Sequence, residues 1–213
     1  MSDLSELVRS ERLALIGLLE GLTAREWATP SLCRAWTVQD VAAHLAWAPV
    51  LPLREGGLGM LRSRLRLNAF IADSAVRWAR RGPAAILDQL RATAAQGAGP
   101  TGMPPGAVLT DAAVHALDIR RPLQAHRPVP PEAFVAVADF NAWLRWPLTI
   151  PTGGGNRSRL EGVRLVASDV DWFHGHGLEV RAPAETVLLV LTGRAVGREE
   201  LAGPGANRLH ERL

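Results

Sequence analysis

The sequence predicts a chain in two parts, a helical domain over residues 1–150 and a small α+β domain over 157–213, on three observations. Apolar residues recur at spacings of three and four through most of the first 150 residues. The segment PTGGGNRSR at 151–159 then interrupts that spacing with glycines and polar residues, as a domain boundary does. Beyond it Val163, Leu165 and Ala167 alternate with their neighbours at the period of a strand.

Each element is justified by its own spacing and ends. Leu4, Leu7, Val8, Leu15, Leu19 and Leu22 share one face, which predicts a helix from Leu4 to Leu22 stopped near Gly21. After a loop containing Pro30, Thr37 stands three residues before Asp40 at the head of an apolar stretch, the pattern of a capping box. A second helix therefore starts at about Val38 and stops near Pro49, with Val41, Leu45, Ala48 and His44 on its inward face. A third helix is predicted from about Leu58 to Arg81, and a fourth from Gly82-Pro83 to about Ala95, where proline suits the first turn. The stretch 96–107 reads as a loop, and Val108 to about Ile119 as a helix ended by Pro122. Another helix follows Pro130-Pro131, carries Phe134, Val137, Ala138 and Trp143, and finishes before Pro147. In the second part, Val163–Ala167 and Leu178–Arg181 are expected to pair as a hairpin across a glycine-rich turn at 175–177. A helix from Pro183 to Thr192, ended by Gly193, and a short helical tail near Arg198 complete the chain.

Composition excludes several function classes. A chain of 213 residues with 47% hydrophobic content can bury a sizeable core. Its longest apolar runs, such as VLLVL at 187–191, fall far short of the roughly 20 residues that cross a bilayer, and MSDLSELVRSER lacks the apolar centre of a signal peptide. We therefore expect a cytoplasmic protein with no membrane partner. The pI of 10.6 comes from 24 arginines and no lysine, while the net charge is only +3. Pairs such as Arg80-Arg81 and Arg120-Arg121 form no basic stripe, so no nucleic-acid partner is expected. A single cysteine, Cys33, rules out both an internal disulfide and a cysteine-rich zinc site. Any metal must be held by histidine and carboxylate.

The stretch LTDAAVHALDIRRPL at 109–123 places Asp111 and His115 four apart, on one face of an otherwise apolar helix. With His44 from a second helix they offer two imidazoles and a carboxylate, the donor set of an open metal site. Taken singly, each residue reads as a hydrogen-bonded core histidine or as an acid near a helix start. Asp118, three residues after His115, is a candidate supporting partner or even the third ligand, and reads first as a salt-bridge residue that fixes the Arg120-Arg121 segment. His174 and His176 form a His-x-His pair that reads first as part of the glycine-rich turn and second as a weak metal pair, Cys33 before a helix start reads as a packed small residue ahead of a nucleophile, and Trp47 is a candidate wall beside His44.

The stretches PSLCRAWTVQDVAAHL, LTDAAVHALDIRRPL and SDVDWFHGHGLEVRAPAETVLLVLTGR resemble, in order, three blocks of the mycothiol-dependent maleylpyruvate isomerase family. That resemblance implies a DinB-like up-and-down four-helix bundle followed by a small α+β domain similar to sterol carrier protein 2 (SCP2). It implies a divalent metal, usually zinc, held by His44, Asp111 and His115, with Asp111 standing where the isomerase has the longer glutamate. It also implies mycothiol as thiol cosubstrate, a small electrophilic substrate, and thiol addition, transfer or cis-trans isomerisation as the reaction. An arginine of the second domain is expected to hold substrate carboxylates, and Arg194 in LTGR is its preferred match, with Arg181 as the runner-up. A binding protein of the same fold without turnover, or a metal-dependent hydrolase, are the alternatives. Nothing in the sequence separates a monomer from a homodimer.

Overall fold

A computed structural model describes residues 3–94, 99–100 and 102–213. Among them the chain is mostly helical, with eleven α-helices and one three-stranded sheet. It divides into two compact units, Met1–Arg127 and Pro128–Leu213. No helix among the described residues is long and apolar enough to cross a membrane.

The first unit contains α1 (Leu4–Glu20), α2 (Ala24–Trp27), α3 (Val38–Trp47), α4 (Leu53–Arg62), α5 (Leu67–Ala79), α6 (Gly82–Ala94) and α7 (Pro105–Arg120). Helices α1 and α3 each pack on both α6 and α7, and α5 covers another side of α3. Leu15 and Leu19 of α1, Val41 and Leu45 of α3, and Ile86 and Leu90 of α6 are all but inaccessible and form the core between them. Helix α3 begins as its sequence demands. Thr37 Oγ1 accepts the Asp40 amide while Asp40 Oδ2 accepts the Thr37 amide at 2.8 Å, closing the capping box. Thr37→Ala is expected to cost the unit about 1 kcal/mol, read as a lower urea midpoint with unchanged slope.

The single helix expected from Leu58 to Arg81 is two helices. Arg64 and Leu65 lie in the left-handed region, at φ 52° and 59°. The Leu65 amide reaches the Met60 carbonyl and the Arg64 amide that of Leu61, so α4 ends in a Schellman motif with arginine where glycine is usual. Helix α7 starts at Pro105, earlier than expected, because proline at the first position has no amide to leave unpaired. Of the loop anticipated at 96–107, residues 96–98 and 101 lie outside the described residues, as does Ala95, the anticipated end of α6.

The second unit holds α8 (Pro131–Ala142), α9 (Asn156–Arg159), β1 (Val163–Ala167), β2 (Phe173–Gly175), β3 (Leu178–Ala182), α10 (Ala184–Leu191) and α11 (Ala206–His210). Helix α8, placed by sequence in the helical domain, packs here on α10, which is apolar on nearly every side. Phe134 meets the Trp172 ring edge-on, and Trp172 Nε1 donates to Asp139 Oδ1 at 2.8 Å. The glycine-rich 151–159 segment lies within this unit. Asn156 fastens it: Nδ2 donates to the carbonyls of Asn141 and Leu191, at the C-terminal ends of α8 and α10, at 2.9 and 2.8 Å. Asn156→Ala removes both bonds while the Leu144 amide still serves the Asn141 carbonyl and Arg159 Nη1 that of Leu191, and is expected to destabilise the unit by about 1–2 kcal/mol in urea denaturation.

The hairpin expected between residues 163–167 and 178–181 is not formed. The sheet order is β2-β1-β3, with β1 antiparallel to β2 and parallel to β3, Val163 opposite Leu178. Between β2 and β3 the chain crosses the start of β1. Gly175 and Gly177 have φ of +87° and +122°, and a Cβ on either would strike the backbone of Val163 or Gly162. The close approach explains the glycines that sequence reading assigned to a simple turn.

Candidate metal centre

Helix α7 is buried on almost every face, so an acid and a histidine on it require an account. Because α7 packs on α3, Asp111 and His115 meet His44. His44 Nε2 lies 3.2 Å from Asp111 Oδ1, and His115 Nε2 lies 3.5 Å from the same oxygen. One donor atom from each of the three residues falls within 4.8 Å of the others. A tetrahedral ion with bonds of about 2.0–2.2 Å to nitrogen and oxygen separates such donors by about 3.3–3.4 Å, so the observed spacing already suits one. A quarter of the Asp111 side chain remains exposed, which leaves the group open to an incoming ligand.

The supporting contacts orient these donors. His115 Nδ1 lies 2.8 Å from Asp118 Oδ2, and the fully buried Asp118 carboxylate accepts its proton. That bond fixes the tautomer in which Nε2 presents a lone pair. His44 Nδ1, the other nitrogen of that ring, is buried with no hydrogen-bond partner among the described residues. The Trp36 ring covers both imidazoles, with centroids 5.5 Å from His44 and 6.2 Å from His115. Trp47, the wall expected from sequence, carries the Arg81 guanidinium over its ring at 4.5 Å.

Charge completes the site. Burial would raise the Asp111 carboxyl, but His44, His115 and the Arg12 guanidinium outweigh it and hold its pKa at about 2, below the ordinary 3.8. Arg12 comes from α1, is buried, and has its own pKa lowered by burial and raised again by Asp111. Sequence reading missed it, since one arginine in an amphipathic helix carries no pattern. Cys33, read from sequence as a packed small residue, lies beside the His115 imidazole. Its Sγ lies 3.0 Å from Asp118 Oδ2 and 3.5 Å from His115 Nδ1.

The model of the mycothiol maleylpyruvate isomerase N-terminal domain matches residues 8–120, more than half of the chain, a range within which His44, Asp111 and His115 fall. The chain belongs to this family. Two solved structures, the mycothiol-dependent maleylpyruvate isomerase and a histidine-to-alanine mutant of it, are similar to this family member along nearly its whole length. They match at TM-score 0.62 with 13% and 12% identity, covering 95% of this chain and 92% of theirs. At that identity they show a shared fold. No curated protein sequence matches the chain.

In this family member Arg194 follows α10 in a second Schellman motif. Gly193 at φ +77° lets the Arg194 amide reach the Leu189 carbonyl at 2.9 Å, and Arg194 Nη1 donates to the Thr192 carbonyl at 3.0 Å. Arg194 also lies near enough to the buried Arg159 to lower the pKa of that guanidinium, second to burial itself. Arg181 Nε donates to Glu179 Oε1 at 2.7 Å on β3. His174 packs edge-on against Trp143, and burial, followed by neighbouring His176, lowers its pKa. Neither His174 nor His176 joins a donor group among the described residues.

Proposed function

We propose that this chain is a metal-dependent enzyme that uses a low-molecular-weight thiol, mycothiol, to add to, transfer to, or isomerise a small electrophile. The convergence of His44, Asp111 and His115 at the spacing of metal donors carries this reading. Two neutral imidazoles and one carboxylate suit zinc. A divalent ion bound there would supply Lewis acidity, stabilising a thiolate at neutral pH.

The chain's own residues account for the rest. Asp118 keeps the His115 Nδ1 proton and so keeps Nε2 available. Arg12 offsets the Asp111 charge without occupying a donor position. Trp36 shields the imidazoles from water on one side. Arg194, whose Nη1 donates to the Thr192 carbonyl, is assigned to the substrate carboxylates through its guanidinium fork. If so, Arg194→Ala raises KM for a dicarboxylate substrate by about tenfold or more and leaves KM for an uncharged electrophile unchanged. The reading includes a cytoplasmic location and a monomer or homodimer.

The deciding experiment is turnover of maleylpyruvate, and of other cis-unsaturated acids and small electrophiles, by zinc-loaded protein with and without mycothiol. Conversion only with the thiol supports the proposal. Conversion without it points to a hydrolase, and zinc binding with no conversion of any of them points to a binding protein.

A further inference from the structure

Both nitrogens of His115 face candidate ligands. Nε2 faces Asp111 and His44, while Nδ1, Cys33 Sγ and Asp118 Oδ2 form a second group of donors sharing the same ring. Within it Nδ1 and Oδ2 are 2.8 Å apart, Sγ and Oδ2 3.0 Å, and Sγ and Nδ1 3.5 Å. We propose that Cys33, His115 Nδ1 and Asp118 form a second cation site, preferring thiophilic divalent ions, whose filling withdraws His115 from the first.

The geometry favours this. Tetrahedral bonds of about 2.3 Å to sulfur and about 2.0 Å to nitrogen set those donors roughly 3.5 Å apart, the spacing already present. Only the Asp118 oxygen must draw back, by about half an ångström for a zinc-sized ion and further for a larger one. The loop bearing Cys33 is held against α7 without any ion. The Leu32 amide donates to the Asp118 carbonyl at 3.1 Å, the Cys33 amide to Ser31 Oγ at 3.1 Å, and Ser31 Oγ to the Trp36 carbonyl at 2.9 Å. Asp118 is fully buried and Cys33 only partly, so an ion enters from the thiol side.

Donor chemistry separates the two sites. The first offers nitrogen and oxygen, whereas the second adds a thiolate, the ligand that selects soft ions. On binding, the thiol proton leaves to solvent, and thiolate plus carboxylate neutralise the divalent charge. The imidazole proton moves from Nδ1 to Nε2. A neutral imidazole has one lone pair, so one ring cannot serve both sites at once.

The test is titration of the metal-free full chain with Cd2+ under a phosphine reductant. Cys33 is the only cysteine, so any thiolate-to-cadmium charge-transfer band belongs to it. We expect a band saturating at one equivalent in the wild type and in His44→Ala, and none in Cys33→Ser. Affinity should fall at least about tenfold in Asp118→Asn and in His115→Ala. Preloading with zinc should weaken cadmium binding more in the wild type than in His44→Ala. Equal cadmium affinity in wild type, His115→Ala and Asp118→Asn would reduce the site to a lone thiol and overturn the proposal. So would a wild type without the band, or loss of the band in His44→Ala. Should Cys33→Ser fail to fold by circular dichroism, the 113Cd chemical shift of the wild type reads sulfur ligation directly. A chain whose cadmium band depends on Cys33, His115 and Asp118 but which takes up no zinc keeps the second site and refutes the first.

Discussion

Replacing His115 by alanine is expected to abolish stoichiometric zinc in protein refilled after chelation, and replacing His44 to lower zinc affinity sharply, since only the cysteine-bearing group of donors then remains. The physical basis is the small number of donors. With three protein ligands, removal of one leaves two, and the geometry that places His44 Nε2 and His115 Nε2 at 3.2 and 3.5 Å from one Asp111 oxygen loses a corner. The fall in affinity should exceed the roughly 10- to 100-fold that follows loss of a supporting partner such as Asp118. Competition against a chromophoric chelator measures it, and elemental analysis gives the stoichiometry. His174→Ala is the control, since that residue stands among tryptophans in the second unit and should leave zinc unchanged. If both alanine variants keep one zinc per chain, the assignment of these donors is wrong. Asp111→Asn separates charge from shape in the same assay: an amide oxygen remains near the ion, but the negative charge that balances Arg12 is gone. It should fall with the histidine variants.

The parts of this centre differ in how far sequence could reach them. Asp111 and His115 were legible because their relation is local, four residues on one helix. His44 needed the pairing of α3 with α7, which periodicity does not specify and the family resemblance supplied. Cys33 and Asp118 touch across 85 residues of chain, through a loop with no regular period, and no local rule connects them. The fold divides along the same line. The Thr37–Asp40 capping box is a local hydrogen-bond pattern and was read correctly. The break at Arg64 and Leu65 was hidden, because left-handed residues that are not glycine carry no mark in sequence. Alternation found β1 and β3, yet a period of two identifies a strand without its neighbour, and the crossing at Gly175 and Gly177 depends on which strands meet. Likewise α8 was found as a helix, while its packing on α10 depends on which apolar face it meets.

Acid should remove a defined part of the stability of the first unit when the protein is free of metal. The Asp111 carboxyl is held at about 2 against an ordinary 3.8, so its folded value is depressed. Such a group contributes stability that is fully present above the unfolded value and disappears as pH falls through the folded one. The window is therefore roughly pH 4 to 2. At about 1.4 kcal/mol for each tenfold change in proton affinity, the contribution is on the order of 2 kcal/mol. Other carboxylates titrate in the same range, so the measurement is a difference. Urea denaturation of wild type and Asp111→Asn is followed from pH 5 to pH 2 with a chelator present. The gap between them should narrow by about 2 kcal/mol as the solution is acidified, because protonated aspartate and asparagine are nearly equivalent in charge and shape. A gap constant over the whole range would mean that His44, His115 and Arg12 do not stabilise the ionised carboxylate. The charge balance that prepares this corner of the bundle for a cation would then be absent.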